Sequence, residues 1–254
     1  MGETLIAGLL RSGMPATELL IAERRADRAD ELGEKYGVEV VDNATVARRA
    51  ETIVLLVKPQ DMETVLAEIA DSLQPGALVI SIAAGITTTF IESHLPQGTH
   101  VVRAMPNTPA LVDQAMAAIS PGTTCNAEHL ATAERLLQSV GKVLQLPEKY
   151  QDAVTAISGS GPAYIYYVTE AMIEAGVMLG LPRDIATEMV YQTVYGAATM
   201  LIETQMHPTV LREQVTSPGG TTVAALRVFD DFKVRAAFLS AMEAARDRSA
   251  ELGK

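Results

Sequence analysis

Thr52-Ile53-Val54-Leu55-Leu56-Val57 is a continuous apolar run, the pattern of a strand covered on both faces. Its surroundings repeat that grammar. Downstream, Asp61 to Leu73 reads as a helix, Gln74-Pro75-Gly76 breaks it, and residues 77–85 (ALVISIAAG) form a second buried strand closed by Gly85. A helix from Thr89 to Leu95 ends at Pro96, and His100 to Ala104 is the next strand. Upstream, Leu19 to Glu23 and Val38 to Val41 read as strands, each followed by a helix, Arg25 to Tyr36 and Ala44 to Ala50. Strands alternating with helices at this spacing predict parallel βαβ units with right-handed crossovers, an α/β, Rossmann-like doubly wound sheet.

After Tyr150 the strand signals stop. Ala163 to Leu179, Ile185 to Thr204 and Thr222 to Leu252, the last with a break, read as helices rich in Ala, Met and Leu. The boundary falls between Pro147 and Asp152, so the expected organisation is a nucleotide-binding domain over 1–150 and an all-helical domain over 151–254. The 254 residues suffice for two modest domains with real cores. A net charge of −11 argues against a nucleic-acid partner, whose phosphates need a basic surface. The single cysteine, Cys125, excludes a disulfide framework within the chain. With no basic-then-apolar leader and no long apolar run, the expectation is a cytoplasmic protein without a membrane partner.

Ligands of open parallel sheets bind beyond the carboxyl ends of the strands. Glu23 closes a strand about twenty residues past Gly2, the place of a ribose-binding acid. Arg24 and Arg25 follow at once, and guanidinium forks suit a 2′-phosphate. Lys58 follows the next strand, and Ala83-Ala84-Gly85 permits close approach of backbone to a flat ring. Met105-Pro106-Asn107-Thr108-Pro109 is a stiff loop able to fix the Asn107 amide toward a ligand. Gly2, at the start of the first helix, stands where the last glycine of a dinucleotide-binding turn lies; the strand and the two glycines that normally precede it are missing.

In the second domain, Ser158-Gly159-Ser160-Gly161-Pro162-Ala163-Tyr164 and Val215 to Leu226 (VTSPGGTTVAAL) are Ser/Gly turns feeding helices. Paired glycines and threonines at a helix start suit a small anion held by backbone N–H groups. No Ser-His-Asp set, paired carboxylates or metal-ligand spacing accompanies them, so no metal is expected. The four histidines, His94, His100, His129 and His207, are scattered.

These stretches, with Val57-Lys58-Pro59, Ala83-Ala84-Gly85-Ile86 and Met105 to Pro109, resemble the pyrroline-5-carboxylate reductase family from Gly2 to the last helix. The resemblance implies NAD(P)H-dependent reduction of 1-pyrroline-5-carboxylate to L-proline by a homodimer that is often assembled into a decamer. Arg24 and Arg25 point to NADPH with NADH tolerated, against Glu23, which would repel a 2′-phosphate if it faced the ribose. By position it assigns Asn43, Val57, Lys58, Pro59 and Gly85, with Ala84 beside it, to the cofactor, together with Gln214 at a partner-subunit contact. It assigns Glu148, Thr221 and Thr222 to the substrate pocket and Ser217, Gly219 and Gly220 to the loop that binds the substrate carboxylate. Thr222 is the expected catalytic residue, its hydroxyl hydrogen-bonded to the imine nitrogen. Family members carry a strand and a Gly-x-Gly turn ahead of the position of Met1. The chain is thus expected to be truncated relative to the family and to bind cofactor more weakly than an extended one. Two alternatives remain open: a 3-hydroxyacid dehydrogenase, which needs a lysine that Ala163 to Met206 lacks and Lys233 supplies poorly, and a non-catalytic cofactor-binding dimer.

Overall fold

Leu20–Ile21 (β1) and Glu39–Val40 (β2) form a short parallel pair. Five further strands make a separate sheet in the order Thr52–Leu55 (β3), Leu78–Ser81 (β4), His100–Met105 (β5), Ala115–Pro121 (β6) and Gly141–Gln145 (β7). The computed structural model describes residues 1–253. Among them β1 bonds only to β2 and β3 only to β4, so ladder bonds do not join the two sheets. Pairing is parallel throughout except between β5 and β6.

All five strands expected from the sequence are present, and two others lie beyond them. The segment Ala115-Met116-Ala117-Ala118-Ile119 of β6 lacks the run of branched residues that marks a central strand. It is nonetheless held between β5 and β7 with Ala115, Ala117, Ala118 and Ile119 buried. Small side chains let a helix sit close above it. The run at 77–85 also stops being strand at Ser81, whose hydroxyl accepts the Ala83 N–H at 3.3 Å.

The double coverage read from the apolar runs is observed. Val79 of β4 packs with Met62, Leu66 and Ile69 of the helix Met62–Ala70, while Leu78 and Ile80 pack with Ala133 and Leu137 of the helix Ala127–Gln138. In chain order the helices of this region are Gly2–Arg11 (α1), Ala26–Tyr36 (α2), Asn43–Arg49 (α3), Met62–Ala70 (α4), Thr88–His94 (α5) and Ala127–Gln138 (α6). The helices α3, α4 and α5 cover one face of the sheet, and α1 and α6 the other. Met62 and Leu66 are fully buried, each contributing about 1.5–3 kcal/mol. Local chemistry starts the helices: the Asp42 carboxylate accepts the Thr45 N–H at 2.6 Å, and the Thr87 hydroxyl accepts the Phe90 N–H at 3.1 Å.

Glu3, in the first turn of α1, ties that helix to α2. Its carboxylate accepts from Lys35 Nζ at 2.8 Å, from Tyr36 Oη at 2.9 Å and from Arg28. The bonds from Lys35, Arg28 and Tyr36 hold its pKa down at about 2. A carboxyl depressed in the folded state stabilises above its unfolded pKa, and that contribution is lost as pH falls through the folded value. Glu3→Gln should therefore melt below the parent at neutral pH. The gap should narrow from about pH 4.5 downward and close near pH 2 in thermal scans.

The chain divides into two compact units, Met1–Ser160 with the segment from Ala244 onward, and Gly161–Glu243. The first unit closes its sheet region with Gln151–Val154 (α7) and a wide turn over Thr155–Gly159. The second is helical: Gly161–Met178 (α8), Arg183–Thr204 (α9), Pro208–Gln214 (α10), Thr221–Asp231 (α11) and the start of Val234–Leu252 (α12). Lys233, with φ of 56°, makes the break expected before the last helix. Helices α8 and α9 meet where Gly176 lies against Ala186; a Cβ there would stand 2.9 Å from the Ala186 Cβ. Only Ala186 and Val190 are buried on α9, and Met189, Tyr191, Tyr195, Met200 and Ile202 are exposed. Among the described residues no helix is long and apolar enough to cross a membrane.

Candidate active site

The first unit brings the start of α1 to the carboxyl end of β3. A Cβ on Gly2 would lie 3.7 Å from Leu56 Cδ1, just past that strand. Met1 is the N-cap of α1 and makes no side-chain cap bond. An uncapped helix start at the end of a parallel strand fits a pyrophosphate. Val57 and Pro59 are half-buried and Lys58 between them is exposed, leading into the turn Pro59–Asp61. Gly85 is buried with φ of 78°, a conformation that suits glycine, and Ala84 beside it is half-buried.

Several candidates have partners within the protein. Asn43, the first residue of α3, donates from Nδ2 to Glu68 at 2.6 Å. The Asn107 amide accepts the Met116 N–H at 2.9 Å and donates to the Ser158 carbonyl at 3.0 Å, which stiffens the loop after β5. Glu23 accepts the Arg25 N–H at 2.9 Å, so its carboxylate is turned into its own loop. Arg24 is exposed, and Arg25 reaches Asp27 at 3.3 Å.

Glu148 opens the turn Glu148–Tyr150. Its carboxylate accepts the Thr88 N–H at 2.8 Å and the Thr88 hydroxyl at 2.6 Å, and Arg103 Nη1 lies 3.4 Å away. Arg103 is buried in β5, and its other nitrogen, Nη2, stands 3.6 Å from Asp152.

In the second unit the turn from Ser217 to Gly220 feeds α11. Gly219 has φ of 69°, and a Cβ on Gly220 would meet the Ser217 hydroxyl, so each glycine has a local reason. Gly220 is the N-cap and offers no side chain, leaving the first N–H groups of the eleven-residue helix available. Thr222, second in that helix, is half-buried and Thr221 is exposed. Gln214, at the end of α10, is exposed, with Nε2 3.7 Å from Met206 Sδ.

The remaining reactive side chains have structural settings. His129 completes the N-cap of α6 with Asn126 and stacks on His100 at 3.8 Å; burial, with His100 adding to it, lowers its pKa. His207 caps α10, and His94 Nδ1 lies 2.8 Å from the Phe90 carbonyl. The Cys125 thiol donates to the Val101 carbonyl at 3.0 Å, and burial pushes its pKa up, the opposite of an activated thiolate.

Comparison with known proteins decides the family. Residues 148–252 match the family described as pyrroline-5-carboxylate reductase dimerisation, and residues 1–85 match NADP oxidoreductase coenzyme F420-dependent. A pyrroline-5-carboxylate reductase of Corynebacterium melassecola is 44% identical, the alignment covering 100% of this chain and 96% of the relative. One from Methanosarcina acetivorans is 41% identical over 100% of this chain and 95% of its own. The chain belongs to the pyrroline-5-carboxylate reductase family.

Solved reductases agree in fold. The Coxiella burnetii reductase is 38% identical with a TM-score of 0.93, covering 100% of this chain and 95% of that one. The Plasmodium falciparum pyrroline carboxylate reductase, with NADP bound, is 28% identical with a TM-score of 0.90 over 100% and 95%. Sequence motifs do not reveal that Arg103 is paired with both Glu148 and Asp152. A lone arginine inside the apolar strand Val101-Val102-Arg103-Ala104-Met105 was the available signal, since a buried guanidinium requires anionic partners.

Proposed function

We propose that this chain reduces 1-pyrroline-5-carboxylate to L-proline, the last step of proline biosynthesis, using NADPH and tolerating NADH. Full-length similarity to reductases of that name carries the reading. Residues 1–150 take the cofactor and residues 151–254 take the substrate and dimerise. When bound, the reduced nicotinamide supplies the hydride. For this chain the start of α1 at Gly2 receives the pyrophosphate, with Asn43, Val57, Lys58 and Pro59 along the dinucleotide, Ala84 and Gly85 by the ring, and Gln214 meeting a partner subunit's cofactor. The loop Ser217 to Thr221 binds the substrate carboxylate, with Glu148 on the substrate side. The Thr222 hydroxyl orients the imine nitrogen. A protonated imine is already electrophilic, so the protein's main contribution is position. Proline formation from pyrroline-5-carboxylate and NADPH tests the reading.

Cofactor choice rests on Arg24 and Arg25. With Glu23 bonded to its own loop, the two guanidinium groups are the side chains beside β1 suited to a 2′-phosphate. Replacing both with alanine should raise KM for NADPH about tenfold or more while moving KM for NADH little. Parallel losses would remove the assignment.

The protein acts as a homodimer in the cytoplasm, without nucleic-acid or membrane partners; the decamer built from such dimers rests on the family resemblance alone. A helix apolar on most sides, as α9 is, needs cover on most sides, and one chain leaves it exposed. Light scattering at micromolar concentration should return twice the 27.1 kDa chain mass or a multiple of that dimer; a monomer would contradict this.

A further inference from the structure

Two holds converge on the turn between β4 and α5, which carries Ala84 and Gly85. Both run through Arg103. Its side chain is 5% exposed, and a guanidinium so buried persists only where its charge is met. It is met twice, by Glu148 on Nη1 and by Asp152 on Nη2.

The first hold runs through Glu148. Besides facing Arg103, this carboxylate accepts both the N–H and the hydroxyl of Thr88, the first residue of α5 and the far end of the turn. The second runs through Asp152, which accepts the Ser249 hydroxyl at 2.8 Å. Ser249 is 3% exposed and is the buried residue of α12. One helical turn later, Leu252 and Gly253 lie directly against Gly85. A Cβ on Gly85 would stand 3.0 Å from Gly253 N and 3.0 Å from Leu252 C, and a Cβ on Gly253 would collide with the Gly85 carbonyl oxygen. Backbone therefore packs on backbone, and neither glycine can be enlarged without moving the other.

We propose that Arg103 is a positioning residue for the Ala84–Gly85 turn, fixing its far end through Glu148 and Thr88 and its near face through Asp152, Ser249 and Gly253. This rests on the reading of that turn as the cofactor-facing one. Without the cation, two carboxylates share a half-buried place with no charge between them and move apart. One carries away the anchor of Thr88, the other the anchor of Ser249. The turn then loses its fixed shape while the sheet behind it stays intact.

The test uses the full chain with Arg103→Met, Arg103→Lys and Ser249→Ala. Two quantities are read: amide exchange in residues 82–90 against residues 26–36, and NADPH affinity from the fluorescence of NADPH, since the chain has no tryptophan. Arg103→Met should speed exchange in 82–90 and weaken NADPH, each by about tenfold, with 26–36 unchanged. Arg103→Lys keeps the charge but cannot reach both carboxylates at once, so it should fall between. Ser249→Ala removes one hydroxyl, folds regardless, and should produce a smaller loosening of 82–90 with a smaller loss of NADPH affinity. Parental exchange and affinity in Ser249→Ala, or exchange rising evenly through the molecule in Arg103→Met, would overturn the proposal. A parent that fails to bind NADPH while Arg103→Met still frees 82–90 would instead break the functional reading.

Discussion

Thr222→Ala should lower kcat/KM for pyrroline-5-carboxylate about 5- to 150-fold, the loss of roughly 1–3 kcal/mol of transition-state stabilisation. Thr222 is the second residue of α11, behind a glycine N-cap that leaves the helix start open. There the backbone N–H groups and the helix dipole favour a carboxylate, and a hydroxyl can serve the imine nitrogen. Alanine suits a helix, so the fold should survive and NADPH affinity should hardly change. Thr222→Val keeps the shape without the hydroxyl and controls for packing. Both variants turning over the imine acid at the parent rate would remove the role assigned to Thr222.

Gly141→Ala should cost the fold about 3 kcal/mol or more, seen as a lower midpoint in denaturant with little change in slope. Gly141 opens β7 with φ of 156°, paired with Ala115 of β6. A Cβ there would overlap the backbone nitrogen and oxygen of Ala115 and stand 2.6 Å from its Cα. Those atoms belong to a buried strand and have nowhere to move, unlike the end of a flexible side chain. Gly76→Ala is the comparison: it also has positive φ, 78°, yet nothing lies within 4 Å of its added Cβ. It should pay only the backbone strain, about 1 kcal/mol. Equal midpoints for the two variants would mean that the β6–β7 contact is not rigid.

Where side chains announced their surroundings, the sequence was readable. TIVLLV and ALVISIAAG required cover on both faces, and α4 and α6 provide it for β4. A break within Thr222 to Leu252 was legible too, though not its place at the left-handed Lys233. The strand β6 escaped because Ala115, Ala117 and Ala118 carry no strand preference; their burial comes from β5 and β7, which lie far along the chain. Motif spacing pointed to turns at Gly85 and at Ser217 to Gly220, and the chain turns at both, with positive φ at Gly85 and Gly219. It could not show that Glu148 already holds Thr88, because residues 88, 103, 148, 152 and 249 meet only after folding. Nor could it foresee that Asn107 spends its amide on Met116 and Ser158. Polar partners distant in sequence leave no periodic trace, whereas apolar faces do.

The most direct test of the account is to mix the purified chain with NADPH and pyrroline-5-carboxylate and to follow NADPH oxidation and proline together. Proline should appear mole for mole with oxidised cofactor, and oxidation should stop when the imine acid is left out. NADPH oxidation without proline, or proline absent while a 3-hydroxyacid is oxidised with NADP, would contradict it.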